Sequence, residues 1–312
     1  MPESLVLVNA GIHTMDPAKP RASALAISGD VITGTGSVEE LLAANPGARV
    51  VDVGGRVVIP GFVDAHCHFE LTTTHLSYAV PLHAPPHTSL EDICVTLRQH
   101  AAASPGDGWI VGRANFGLHQ FVAEQRPISR EDLDEAVPDR PVVVYSGMHV
   151  TTMNTAGLRA AGYLNGAVPA MGAMLDLETG RGTELWSELP QPEFGVDAVA
   201  AAMTGLGRSM FTARGVTTIN DIVHSAEGVR AYQKLRREGR LPARIDLHFH
   251  SPRQLTSADL AVTGLQTGFG DNWLRLAGIK LFVDGAGHDL HHETLVDLTW
   301  NQDQLDAEVH AA

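Results

Sequence analysis

A chain of 312 residues, 44% hydrophobic and 19% charged, has the composition of a soluble globular protein with room for one large domain, or a large and a small one. Its formal net charge of −14 argues against nucleic acid or an anionic membrane as partner, since both select basic surfaces. No stretch approaches the ~20 apolar residues of a spanning helix, the start Met1-Pro2-Glu3-Ser4 lacks a basic leader region, and two cysteines, Cys67 and Cys94, make no disulfide framework. A cytoplasmic location is the expectation.

Residues 1 to about 56 read as a small β-rich unit. Leu5 to Val8 is strand-like, Ala24 to Ile32 reads as a hairpin turning at Ser28-Gly29-Asp30, Val38 to Ala44 as a short helix, and Arg49 to Val53 as a returning strand before the Gly54-Gly55 turn. The apolar run that follows reads as a buried strand ending in Asp64-Ala65-His66-Cys67-His68. Alternation along a strand puts His66 and His68 on one face and Cys67 on the other. Two imidazoles on a rigid strand end make a ready pair of ligands for a divalent metal. His-x-His is nonetheless a short pattern in a chain with 16 histidines.

From Gly61 onward strands alternate with helices. Ser89-Leu90-Glu91-Asp92 opens a capped helix running through Ala103, and Ser129-Arg130-Glu131-Asp132 opens a shorter one. Trp109 to Gly112 and Val142 to Tyr145 are strand-like; Thr152 to Ala161 and Val196 to Arg214 read as helices stopped by Gly162 and Gly215. Strands at Val216 to Ile219, Arg244 to Phe249 and Gly278 to Val283, with a helix over Ala226 to Glu238, recur at roughly thirty-residue spacing, the interval of a (β/α)₈ barrel.

These residues resemble the amidohydrolase superfamily, and within it the branch called amidohydrolase family 3, or YtcJ-like. The resemblance rests on Leu5 to Asn9 with Thr14-Met15-Asp16-Pro17, on Ile59-Pro60-Gly61-Phe62-Val63-Asp64-Ala65-His66-Cys67-His68, on Gly215 to Asp221, and on Ile279-Lys280-Leu281-Phe282-Val283-Asp284-Gly285. It spans residue 4 to the end. It implies an α/β fold, a distorted (β/α)₈ TIM barrel of which only about the first four strands are present, with a small amino-terminal β-sandwich portion. Residues 1–56 would belong to the sandwich and 57–312 to an incomplete barrel with an insertion at about 70–213. Barrel strand one would be Val58 to Ala65.

The resemblance also implies a metal site of one or two divalent ions, zinc by default with manganese, iron or nickel as alternatives. His66 and His68 would be ligands, with Lys280 carbamylated and bridging. Carbamylation requires a neutral amine and yields an oxygen donor; a lysine snorkelling outward or pairing with Asp284 is the competing reading. His149, with Asn154 in the same segment, and Glu184 would lie on the substrate side; a loop histidine making one local hydrogen bond fits the sequence at least as well, and a solvated glutamate fits it better. His248 and His250 read as pocket residues around the ligands. His288, His291 and His292 depart from the Ser/Gly-rich loop usual in the branch, and Cys67 reads as a small buried apolar residue.

A complete site of this kind needs two further histidines and an aspartate as general base, expected beyond residue 312; four more βα units would take on the order of 120 residues. The chain thus reads as an amino-terminal fragment, and a half-barrel alone would expose strand edges. The expected activity is metal-assisted hydrolysis of a carbon–nitrogen bond, most simply an amide, in a small molecule. The rivals are a mononuclear deaminase-like relative, which Lys280 disfavours, and a non-catalytic truncated chain. Homo-oligomerisation is compatible with the sequence.

Overall fold

Strands and helices are described here from a computed structural model over residues 4–169, 173–185, 188–189, 194–251, 256–281 and 301–311. The chain divides into two compact units, Met1–Phe62 and Val63–Ala312.

In the first unit β1 (Ser4–Val8), β2 (Gly11–His13), β3 (Arg21–Ala22), β4 (Ala24–Ser28), β5 (Val31–Gly36), α1 (Val38–Ala44), β6 (Arg49–Asp52) and β7 (Val57–Val58) follow in order. One sheet has the order β5-β4-β1-β6 and a second the order β3-β2-β7. Alternation sends Val6, Ala24 and Ala26 into one cluster with Leu41 of α1, and Leu25 into another with Ala10 and Ile12. Ser37 and Glu40 close a capping box that starts α1.

The second unit opens with β8 (Phe62–Cys67), α2 (Phe69–Tyr78), β9 (Val80–Pro81), α3 (Leu90–Ala103), β10 (Ile110–Ala114), α4 (Arg130–Ala136), β11 (Val142–Ser146), β12 (Val150–Met153), α5 (Thr155–Ala160), β13 (Met174–Asp176) and β14 (Arg181–Thr183). It continues with α6 (Val196–Met210), β15 (Val216–Val223), α7 (Ala226–Arg237), β16 (Arg244–Ser251), α8 (Ser257–Val262), β17 (Leu274–Leu281) and α9 (Gln302–Ala311). A six-stranded sheet has the order β13-β14-β12-β11-β10-β9. Val142 and Val144 join one core cluster with Leu90, Ile93 and Leu97 of α3, while Val143 and Tyr145 join another with Leu158 of α5. Neighbouring residues of β11 thus serve opposite faces.

A four-stranded sheet has the order β17-β16-β15-β8. β15 pairs parallel with β16, and β16 parallel with β17, with α7 and α8 in the connections. Ile219, Val223 and Ile245 of these strands pack with Phe69 of α2, Val199 and Met203 of α6, and Tyr232 and Leu235 of α7. Among the described residues no helix is long and apolar enough to cross a membrane.

Three sequence expectations shift. The strand expected at Val58 to Ala65 is split: Val57–Val58 pairs with β2, and β8 starts only at Phe62. Pro60 has no N–H to give a ladder and Gly61 weakens one. β8 is also not buried along its length, with Phe62 and Val63 exposed by 55% and 60%; among the described residues it sits at the sheet edge, beside β15 alone. The helix expected from Thr152 begins at Thr155: Val150, Thr151 and Thr152 pair antiparallel with β11, a role that suits β-branched residues, and Asn154 caps the helix instead. The helix expected through Arg214 ends at Met210, and a 3₁₀ turn at Thr212–Arg214 runs into Gly215 at φ 87°.

Candidate metal centre

The carboxyl ends of β8, β15, β16 and β17 carry a concentration of nitrogen donors: His66 and His68, His224, His248 and His250, and Lys280. His66 is the exposed penultimate residue of β8, and Cys67 behind it is buried. Burial, with Asp221 and Asp64 adding repulsion, pushes the Cys67 thiol far above its ordinary range, so it is an inert packing residue. The strand ends at Cys67, and His68 becomes the residue before α2, with φ −114° and ψ 58°. Its ring therefore leaves strict strand alternation yet stays near His66, with centroids 5.4 Å apart and planes at 68°.

His68 is held at about 4, first by burial and then by the repulsion of His66, Lys280, His149 and His250. It is a neutral imidazole at neutral pH, with lone-pair density available. His224, immediately after β15, places Nε2 2.8 Å from His68 Nδ1, so one of these nitrogens carries the shared proton. The ring of His250 lies 5.8 Å from that of His224, nearly perpendicular.

On β16, His248 and His250 are two residues apart; His250 stands opposite Lys280 of β17 and His248 opposite Gly278. Burial lowers the pKa of His248 against the opposing pull of Asp246, and His66 and Lys280 lower it further. Burial also lowers the Lys280 amine, which enlarges its neutral fraction.

The pair from the other sheet meets as well. His149 lies just before β12 and Glu184 just after β14, and the pairing of Val150 with Thr183 brings them together. His149 Nδ1 is 2.9 Å from Glu184 Oε1, and the Glu184 N–H donates to the His149 carbonyl at 2.9 Å. His149 is thus bonded to a distant side chain rather than locally, and Glu184 is not simply solvated; Glu184 has a φ of 58°.

Two buried carboxylates lie beneath the strand ends. Asp221 of β15 accepts from the Phe69 N–H, from the Glu70 N–H at 3.4 Å and from the Tyr232 hydroxyl at 2.6 Å. Glu70 in turn accepts from the His224 N–H at 3.0 Å and the Ser225 hydroxyl at 2.7 Å. Burial raises both carboxyls, Asp221 to about 7. The sequence motifs include Asp221, within Gly215 to Asp221, without assigning it a role, and they do not include Glu70 or His224. The one available signal was their proximity in sequence to His68 and to that segment.

Among the described residues no group of three or more His, Cys, Asp and Glu is arranged to hold a metal ion. The donor chemistry present fits part of a shell: two adjacent imidazoles, His66 and His68, with the Lys280 amine on the same sheet. Asp284, His288, His291 and His292 lie outside the described residues.

Comparison with known proteins places the chain among relatives. The chain is 26% identical over 305 residues to N-substituted formamide deformylase of Arthrobacter pascens, covering 90% of this chain and 54% of that protein. It is 28% identical over 292 residues to putative amidohydrolase YtcJ of Bacillus subtilis (strain 168), covering 88% and 53%. The chain therefore spans about half the length of the curated relatives it matches. The crystal structure of an uncharacterized metal-dependent hydrolase from Pyrococcus horikoshii OT3 shares the fold, with a TM-score of 0.68, 22% identity, and coverage of 99% of this chain and 63% of that one. The Amidohydrolase family model matches residues 49–299, most of the 312. On that match, supported by YtcJ, the chain belongs to the amidohydrolase family, in its family 3 branch.

Proposed function

We propose that this protein is a divalent-metal-dependent hydrolase that cleaves a carbon–nitrogen bond, most simply an amide, of a small molecule. The observation that carries the reading is the placement of His66, His68 and Lys280 at the ends of strands in one four-stranded sheet, with His68 held neutral and the Lys280 amine lowered. His66 and His68 would hold the first ion, and Lys280, carbamylated through its neutral amine, would bridge to a second. The sheet is read as the first four strands of a distorted (β/α)₈ barrel, residues 1–56 as part of a β-sandwich, and about 70–213 as an insertion. A bound ion, zinc by default, would supply Lewis acidity toward a carbonyl and toward water near neutral pH.

The remaining chemistry belongs to the chain's own residues. His224, whose Nε2 lies 2.8 Å from His68 Nδ1, shares a proton with that nitrogen and orients the ring. Glu184 orients His149, which we place on the substrate side. A charge of −14 fits a free small molecule better than a polyanionic partner, and the cytoplasm is the proposed setting.

Full-length protein stripped of metal and reloaded with zinc tests the reading on a panel of linear amides and N-substituted formamides. Hydrolysis should require the metal and fall on the order of 100-fold or more in His68→Ala. Undiminished turnover in His66→Ala and His68→Ala, or in metal-stripped protein, would overturn it.

A further inference from the structure

We propose that Asp221 is a positioning residue for the metal centre: it caps α2 from a neighbouring strand and thereby leaves the His68 ring free to face His66 and His224. The inference rests on the metal-ligand reading of His68.

A helix opens with N–H groups that lack partners, and the residue before the first turn usually supplies an oxygen to them. In α2 that residue is His68, which makes no side-chain cap bond. The oxygen comes instead from Asp221, 152 positions away in sequence, whose Oδ1 accepts from the Phe69 N–H. Its Oδ2 accepts from the Glu70 N–H at 3.4 Å and the Tyr232 hydroxyl at 2.6 Å. A fully buried carboxylate at a helix start also suits the positive end of the helix dipole.

The tie is reciprocal. Glu70, in the turn that Asp221 holds, accepts from the His224 N–H and from Ser225. Ser225 itself caps α7 through the Gly228 N–H. A Cβ at Gly228 would stand 2.7 Å from Glu70 Cγ, so glycine is what lets the Glu70 stem pass. Two strand–helix junctions are therefore bound across each other by two buried carboxylates, and the histidines that emerge from them, His68 and His224, meet at 2.8 Å. Neither carboxylate is itself a candidate ligand here, and each acts on the imidazoles through the backbone.

The test uses full-length protein with ¹⁵N label at histidine, without metal, followed by zinc titration against a chromophoric chelator. Asp221→Ala should move the ring-nitrogen shifts of His68 and His224 toward those of free, exchanging imidazoles and weaken zinc binding by ~10- to 100-fold. Asp221→Asn, which keeps an oxygen for the Phe69 N–H, should recover most of both. Asp134→Ala removes a comparable cap, since Asp134 accepts from the Thr155 N–H and hydroxyl; it should lower the melting temperature and leave shifts and zinc affinity unchanged. If Asp221→Ala does not fold, Tyr232→Phe, which removes one bond to Oδ2, should give a smaller change in the same direction. Unmoved nitrogen shifts and a zinc affinity within twofold of wild type in Asp221→Ala, or an equal effect of Asp134→Ala, would overturn the assignment. If wild-type protein binds no zinc, the functional reading falls while the nitrogen shifts still decide whether Asp221 positions His68.

Discussion

Each sheet of the larger unit is built over a buried polar hub, and the two hubs differ in kind. In the six-stranded sheet the hub is Asn154. Its Oδ1 accepts from the Val142 and Gly157 N–H groups at 2.9 and 2.7 Å, and its Nδ2 donates to the Val137 and Arg140 carbonyls at 2.7 and 2.8 Å. In the four-stranded sheet the hub is Asp221, an ionisable group with Glu70 as a buried neighbour. A neutral amide with every hydrogen bond made joins elements at no cost in pH sensitivity. A buried carboxylate joins elements while making stability depend on protonation, and it lies under the candidate site. Fixity alone serves the first sheet; the second combines fixity with charge where chemistry is proposed.

The largest effect should come from Asn154→Ala. It strands three buried backbone groups and one half-buried one, at ~1 kcal/mol or more for each buried group, and should cost several kcal/mol in a denaturant melt. Zinc affinity of the folded protein should not change; a loss of affinity without a loss of stability would break the contrast. Tyr232→Phe comes next. It removes the 2.6 Å hydroxyl from Asp221 and should cost ~1–3 kcal/mol at neutral pH, where the carboxyl is partly ionised.

The pH dependence sharpens the contrast further. Burial holds His68 at about 4, and burial with Arg113 nearby holds His75 at about 3. The unfolded chain protonates both near ~6.5, so the stability they contribute is whole above that pH and lost as pH falls toward 4 and 3. Asp221, raised to about 7, acts in the opposite sense: its contribution is present below ~4 and is lost as pH rises through 7. His75→Phe, which keeps an aromatic ring beside Phe194, should reduce the acid-side loss by up to ~1.4 kcal/mol per pH unit. An unchanged slope between pH 6.5 and 4 would show that His75 is not buried in its neutral form.

The smallest effect should be that of Glu227→Ala. It removes an exposed i,i+3 ion pair with Arg230 and should change stability by less than ~0.5 kcal/mol.

These hubs also mark where the sequence is legible. The Ser89 and Ser129 caps are readable because each closes on an aspartate three residues later, Asp92 and Asp132. His66 and His68 are readable because their spacing is itself the signal. Asn154 is legible only by resemblance, as a substrate-side neighbour of His149; its role as a hub is not readable, since its partners at Val142, Val137 and Arg140 come together only when β11 and β12 pair, and that tertiary pairing turns the residues before it from expected helix into strand. Asp221, Glu70 and His224 escape for the same reason at longer range: the bonds that define them span about 150 positions and leave no local pattern. The orientation of His68 depends on all three.

The most direct test of the metal-centre reading is the zinc content of full-length protein after exhaustive dialysis, measured beside a His66→Ala/His68→Ala double variant matched for folding by its melting curve. One or two equivalents retained by wild type and less than a tenth of that by the double variant is the expected result. Equal zinc in both proteins, or none in either, would contradict a metal centre built on the end of β8.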